Sequence, residues 1–195
     1  MIESKLIPKA LFSDKSVKSV NNLKDYAGIE YIASMNQTHS DVVTFVKSSA
    51  VYDSDGIYTE EPKLGLVVQT ADCMPILLSD KKRIGAIHSG WRGLKNNILE
   101  KAIKKFDVNE LSISIGPHAQ SCCYEVKEDV KKYFNDYTEL RGGMFFLNMS
   151  KALKDLSEKE GFQVEVSSIC TICNSSYNSY RENKTSARQF GVIWK

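Results

Sequence analysis

Apolar positions along the chain switch between two periods. "LGLVVQT" (64–70), "MPILLS" (74–79), "RIGAIHS" (83–89) and "LSISIG" (111–116) are short β-prone runs, with Pro62 before the first and Asp72 after it. "DVVTFV" (41–46) and the alternating "FQVEVSSI" (162–169) predict two further strands. In "GLKNNILEKAIKKF" (93–106), Leu94, Ile98, Leu99, Ala102, Ile103 and Phe106 recur at helical spacing, with lysines opposite. "YEVKEDVKKYF" (124–134) predicts a second amphipathic helix, and "MSKALKDLSEKEG" (149–161) a third with Gly161 at its C-cap. The first 35 residues are weakly patterned. Helices and strands therefore intermix, with at least one hairpin, and the predicted class is α/β (α+β): mixed β-sheets flanked by helices.

Composition narrows this only modestly. A chain of 195 residues with 42% hydrophobic and 26% charged positions suits one soluble domain over residues 1–195. A net charge of +2 gives no reason to expect nucleic acid as a partner. "MIESKLIPKALF" carries charges where a signal peptide needs an apolar run, and the apolar runs are strand-sized, so no membrane partner and a cytoplasmic address are expected. In that reducing compartment, five cysteines point to free thiols, ligands or catalysis before disulfides.

Chemistry concentrates in "TADCMPILLSDKKRIGAIHSGWRG" (70–93), where Cys73 and His88 bracket a charged turn. A turn centred between Asp80 and Lys81 would pair Cys73 with His88, Cβ atoms about 5 Å apart. A turn centred one residue later would set Cys73 against Ser89 or Gly90 instead. A facing thiol and imidazole can share a metal or act as nucleophile and base. A buried cysteine beside a carbonyl-bonded histidine is the ordinary alternative. Asp72 and Arg92 add a carboxylate and a cation nearby, and His39 in "NQTHSDVV" offers a third ligand; His, Cys and His would leave a tetrahedral zinc one open position. His118 is a weaker candidate, with a solvent-exposed loop role at least as fitting. Cys170 and Cys173 form C-x-x-C, but adjacent Cys122 and Cys123 do not easily join them on one metal, so all four read as packing residues.

"NQTHSDVV", "ADCMPILL", "GAIHSGWRGL", "SIGPHAQSCCYEV" and "CTICNSSYNSYRENKTSARQFGVI" occur in the order found in the laccase-domain (YfiH-type) family, formerly called polyphenol oxidase, which the chain resembles over roughly residues 30–195. The resemblance implies a YfiH-like fold and a zinc site of His39, Cys73 and His88. It also implies phosphorolysis of adenosine, inosine, guanosine or methylthioadenosine to base and ribose-1-phosphate, with adenosine deamination as a side activity. The partners would be a small-molecule nucleoside and phosphate. Gln37 belongs to the family's Q-x-H motif and is taken, with Arg92, Arg181 and Arg188, as a substrate or phosphate contact. Guanidinium groups suit a phosphate oxyanion. Asp72, the acidic residue nearest a proposed ligand in sequence, is the expected general acid/base; an Asx-type turn cap is its equal alternative.

Two departures bear on substrate choice. Family members are usually longer and open with a Gly/Ser-rich segment, replaced here by "PKALFSDKSVKSVNNLKDYAGIEY", and Ala187-Arg188 stands where the family prefers Gly-Arg. The competing readings are a metal-free Cys73–His88 hydrolase, an editing hydrolase for peptidoglycan precursors, and a closed zinc or redox module with His118 or Cys123 as fourth ligand. A copper phenol oxidase is disfavoured, because three histidines fall short of a multicopper cluster.

Overall fold

A computed structural model describes residues 1–195. Its strands are β1 (Ile2–Glu3), β2 (Ala10–Phe12), β3 (Tyr31–Asn36), β4 (Val43–Phe45), β5 (Val51–Asp53), β6 (Gly56–Thr59), β7 (Leu64–Thr70), β8 (Met74–Ser79), β9 (Ile84–Ser89), β10 (Ser112–Ile115), β11 (Glu125–Val126), β12 (Thr138–Arg141), β13 (Met144–Leu147), β14 (Gln163–Val166) and β15 (Gln189–Ile193). The helices are α1 (Val20–Ala27), α2 (Trp91–Lys95), α3 (Ile98–Ile103), α4 (Glu128–Lys131), α5 (Met149–Glu160) and α6 (Tyr180–Asn183). Two mixed six-stranded sheets, in the orders β1-β2-β15-β7-β3-β5 and β14-β10-β8-β9-β6-β4, are joined by a small antiparallel sheet, β11-β13-β12. The class is α+β, as expected.

Continuous apolar runs in β7 and β8 follow from burial on both faces. Leu66 and Val68 of β7 meet Leu77 of β8 and Ala86 of β9 in the layer between the two large sheets. Val67, on the other face of β7, packs with Leu23 of α1 and Val192 of β15. Ile76, Leu78 and Ile87 face outward onto Leu99 and Ala102 of α3 and Leu153 of α5. The weakly patterned N-terminal segment thus supplies β2 and the helix that covers the first sheet.

Three sequence expectations are corrected. The helix over 93–106 is broken into α2 and α3 at Asn96–Asn97, where Asn97 takes φ 60°; asparagine tolerates this left-handed conformation better than most residues. The helix over 124–134 shrinks to the single turn α4, because Val126 pairs with Phe145 in the small sheet and tertiary pairing overrides the amphipathic pattern. The favoured hairpin register also fails. Met74 pairs with Ser89 and Pro75 with His88, so Cys73 continues the ladder opposite Gly90. Asp80 explains the shift: its carboxylate accepts from the backbone N–H groups of Lys82 (2.8 Å) and Arg83 (2.5 Å), moving the turn one residue onward. By contrast, α5 ends as predicted, with Gly161 at φ 87° and its N–H on Ser157.

Candidate active site

The new register still places Cys73 and His88 on one face, as diagonal rather than direct neighbours. That face looks into the layer between the sheets, and the residues sit where β3, β7 and β9 end. Gly90 stands across from Cys73, and a Cβ there would lie 2.8 Å from Cys73 Sγ and 3.5 Å from His39 Cδ2. The sulfur therefore occupies space that only glycine leaves open. Gly90→Ala is expected to displace the thiol and to weaken metal binding at least tenfold with the fold retained, read by competition with a coloured chelator alongside circular dichroism.

His39 joins them from the turn after β3. Its Nε2 lies 3.7 Å from Cys73 Sγ, and its ring meets that of His88 edge-on, centroids 4.8 Å apart. One ligand atom from each of the three residues falls within 4.8 Å of the others. The organiser is Asp55, fully buried just before β6, which sequence reasoning missed. Its carboxylate accepts five hydrogen bonds: from the N–H groups of Thr38, His39 and Ser40 (3.1, 3.0 and 2.6 Å), from Ser40 Oγ (2.7 Å) and from His88 Nδ1 (2.7 Å). Three successive amides wrapped on an anion hold His39 at φ 62°, and the fifth bond fixes the His88 ring through Nδ1. Burial alone would raise the Asp55 pKa, but the His88 and Ser40 bonds outweigh it and hold the carboxyl well below the usual range. The only local signal was "DSDG", which reads as an ordinary turn.

Burial would likewise raise the Cys73 thiol, yet His39 and His88 draw it down to about 6. The thiolate, the form that ligates metals and attacks electrophiles, is favoured at neutral pH.

Around this centre lies a cavity of about 580 Å³. Each sequence-predicted site residue lines it: Gln37, His39, Asp72, Cys73, His88, Arg92, Arg181 and Arg188. Lys184, Trp91, Tyr124 and Tyr180 line it too and were not anticipated. Arg92 stacks on Trp91, and Arg181 lies 5.1 Å from the Tyr124 ring centroid. Arg92, Arg181, Lys184 and Arg188 line the cavity and form no salt bridge within the chain, so no carboxylate neutralises their charge. No residue before Met35 lines it, so the first 34 residues contribute cover rather than contacts. Ala187 has no positive φ, so glycine is not needed there.

Two residues are more engaged than their sequence roles imply. Gln37 donates from Nε2 to the Gln69 carbonyl (2.7 Å) and accepts the Gln69 N–H (2.9 Å), tying the turn to the end of β7. Asp72, at φ 87°, accepts from Thr171 Oγ1 (2.7 Å), Ser179 Oγ (3.1 Å) and the Arg181 N–H (2.6 Å).

His118 does not have the exposed loop role considered for it. It is buried behind the cavity, with Nδ1 2.8 Å from the Gly116 carbonyl and Nε2 unpartnered. Burial lowers its pKa to about 4, below the unfolded value. The unfolded chain then binds the extra proton first, so stability is full above about pH 6.5 and is lost as pH falls toward 4. Chemical denaturation of chelator-treated protein should show this loss, on the order of 2–3 kcal/mol, and His118→Gln should flatten it.

Residues 14–195 match the family model described as "Multi-copper polyphenol oxidoreductase laccase". The chain belongs to this laccase-like YfiH family. It is 35% identical over 176 residues to a purine nucleoside phosphorylase of Aquifex aeolicus, covering 87% of this chain and 85% of that protein. It is 30% identical over 196 residues to one of Clostridium acetobutylicum, covering 91% and 82%. Among solved structures, YfiH of Bacillus licheniformis superposes with a TM-score of 0.85 at 22% identity, over 95% of this chain and 92% of that one. A Neisseria meningitidis protein superposes with 0.84 at 23%, over 95% and 93%. These two likenesses establish the fold. The laccase-like family membership extends across the His39–Cys73–His88 group. No helix is long and apolar enough to cross a membrane.

Proposed function

We propose that the chain is a zinc-dependent purine nucleoside phosphorylase acting on adenosine, inosine, guanosine or methylthioadenosine, with adenosine deamination as a side activity. One observation carries the reading: a His–Cys–His group and four cations without a carboxylate partner line one cavity. The related proteins from Aquifex aeolicus and Clostridium acetobutylicum, named purine nucleoside phosphorylases, support it.

The donor set fits zinc. Two imidazoles and a readily ionised thiol are borderline-to-soft ligands, and Asp55 behind His88 provides the carboxylate–histidine arrangement that orients a metal-binding ring. His39, Cys73 and His88 would hold the ion, which supplies a Lewis acid to neutralise and orient an anionic or carbonyl-like substrate group. The chain's own residues do the rest. Arg92, Arg181, Lys184 and Arg188 gather phosphate with a ribosyl group. Attack by a phosphate oxygen at C1′ forms the new C–O bond as the C1′–N9 bond breaks, and the electron pair leaves with the purine, which takes up a proton. Tyr124 can hold such a proton at its hydroxyl: burial, and then the Cys73 charge, push its pKa up to about 12. Trp91, Tyr124 and Tyr180 provide aromatic surface for the base. Asp72 acts as a cap, its carboxylate committed to Thr171, Ser179 and the Arg181 amide; it positions Arg181 rather than moving protons.

One observation favours a second reading, a metal-free hydrolase with Cys73 as nucleophile and His39 as its base: the 3.7 Å approach of Sγ to Nε2. Base release from inosine separates the two. The phosphorylase requires added phosphate and stops when metal is stripped; the hydrolase ignores phosphate and survives chelation.

A further inference from the structure

Behind the cavity, the four cysteines taken as packing residues in the sequence converge. Cys122, Cys123, Cys170 and Cys173 bring their Sγ atoms within 4.8 Å of one another, and all are free thiols. Adjacent Cys122 and Cys123 can both take part because they lie in a turn, with the N–H groups of Cys123 and Tyr124 on the Gln120 carbonyl (3.0 and 2.8 Å). In a strand they would point to opposite faces. Cys170 is buried, Cys123 half-buried, and Cys122 and Cys173 reach the surface.

We propose that these four thiols are a second metal site, holding one zinc ion as a tetrathiolate. A zinc–sulfur distance of about 2.3 Å sets tetrahedral sulfurs about 3.8 Å apart, so closing the group needs movements of about 1 Å. The backbone is arranged for a thiolate at Cys170. The Gln120 N–H donates to its sulfur (3.5 Å), the backbone contact that a ligating thiolate accepts. On binding, four S–H protons leave and four zinc–sulfur bonds form, with no change in oxidation state. The resulting double negative charge has a neighbour in Arg141, whose guanidinium is bonded to the Ser121 carbonyl beside Cys122.

Position gives the site its role. The loops carrying the two cysteine pairs already run together: Thr171 N–H bonds the His118 carbonyl (3.1 Å), and Gln120 Nε2 bonds the Ser167 carbonyl (2.8 Å). Tyr124, next to Cys123, lines the cavity; Thr171, next to Cys170, holds Asp72. The ion staples these loops together beneath the pocket.

The site does not depend on the phosphorylase reading, and Cys73→Ser, which disables the His39–Cys73–His88 group, tests it separately. The full-length Cys73→Ser protein should retain about one zinc per chain after dialysis, and its cobalt form should show tetrahedral d–d bands with sulfur-to-cobalt charge transfer. Its four remaining thiols should resist a thiol reagent until chelator is added. Cys173→Ser, at an exposed position, should bind this zinc at least tenfold more weakly with the fold intact by circular dichroism. Four thiols that react equally with and without chelator would overturn the proposal, as would a disulfide among them in protein isolated under reducing conditions. Iron with acid-labile sulfide in place of zinc would overturn it too.

Discussion

Asp55→Ala should weaken metal binding at His39–Cys73–His88 about 100-fold and lower the stability of the whole chain. The side chain is fully buried and satisfies five donors, three of them the consecutive amides that hold His39 in left-handed backbone. Its removal leaves those amides and the His88 ring without their partner. Breaking a buried charged network of this kind costs about 3–5 kcal/mol. Loss of the carboxylate behind a ligating histidine weakens metal affinity about 10–100-fold on its own; here the same change also frees the second ligand, so the larger figure applies. Asp55→Asn keeps the size but turns an N–H donor toward other donors. It should recover much of the fold and little of the metal affinity. Metal titration and denaturant unfolding read the two effects separately, and an Asp55→Ala protein with native affinity would remove Asp55 from the account.

Asp72→Asn should lower phosphorolysis about 100-fold or more, chiefly through a raised KM for phosphate. Asp72 accepts the Arg181 N–H at 2.6 Å together with two hydroxyls from the same segment, so it fixes where that guanidinium begins. A misplacement of about 1 Å in a positioning group is enough for a loss of this order. The pH–rate profile decides what kind of residue it is. A positioning Asp72 leaves both limbs of the profile in place when replaced by Asn. A proton-transferring Asp72 would take one limb with it, and kcat would fall with KM unchanged.

Fold and site were legible in the sequence to different depths. Strands β7 and β8 and helix α5 match their predicted spans because their apolar patterns and flanking Pro62 and Gly161 are local signals. The small sheet was missed, although Gly142 and Gly143, both at positive φ between β12 and β13, mark a hairpin turn. Helix 124–134 failed because a pairing with β13, distant in sequence, outweighed a local pattern. The candidate ligands came from residue types and placement together with motif resemblance, and the structure brings His39, Cys73 and His88 together; the favoured hairpin register was off by one step, since Asp80 caps the turn through its side chain. Asp55 and the convergence of Cys122–Cys123 with Cys170–Cys173 could not be read in advance. Both depend on contacts between segments whose proximity only the folded sheets create.

The central claim is that one cavity brings phosphate and a nucleoside to a metal-ligating His–Cys–His group. Phosphorus and proton NMR, read together on zinc-loaded protein with inosine and inorganic phosphate, test it most directly. Ribose-1-phosphate should appear one-for-one with free hypoxanthine, and neither should form with Cys73→Ser. Free ribose with no phosphorylated sugar, or undiminished turnover by Cys73→Ser, would contradict it.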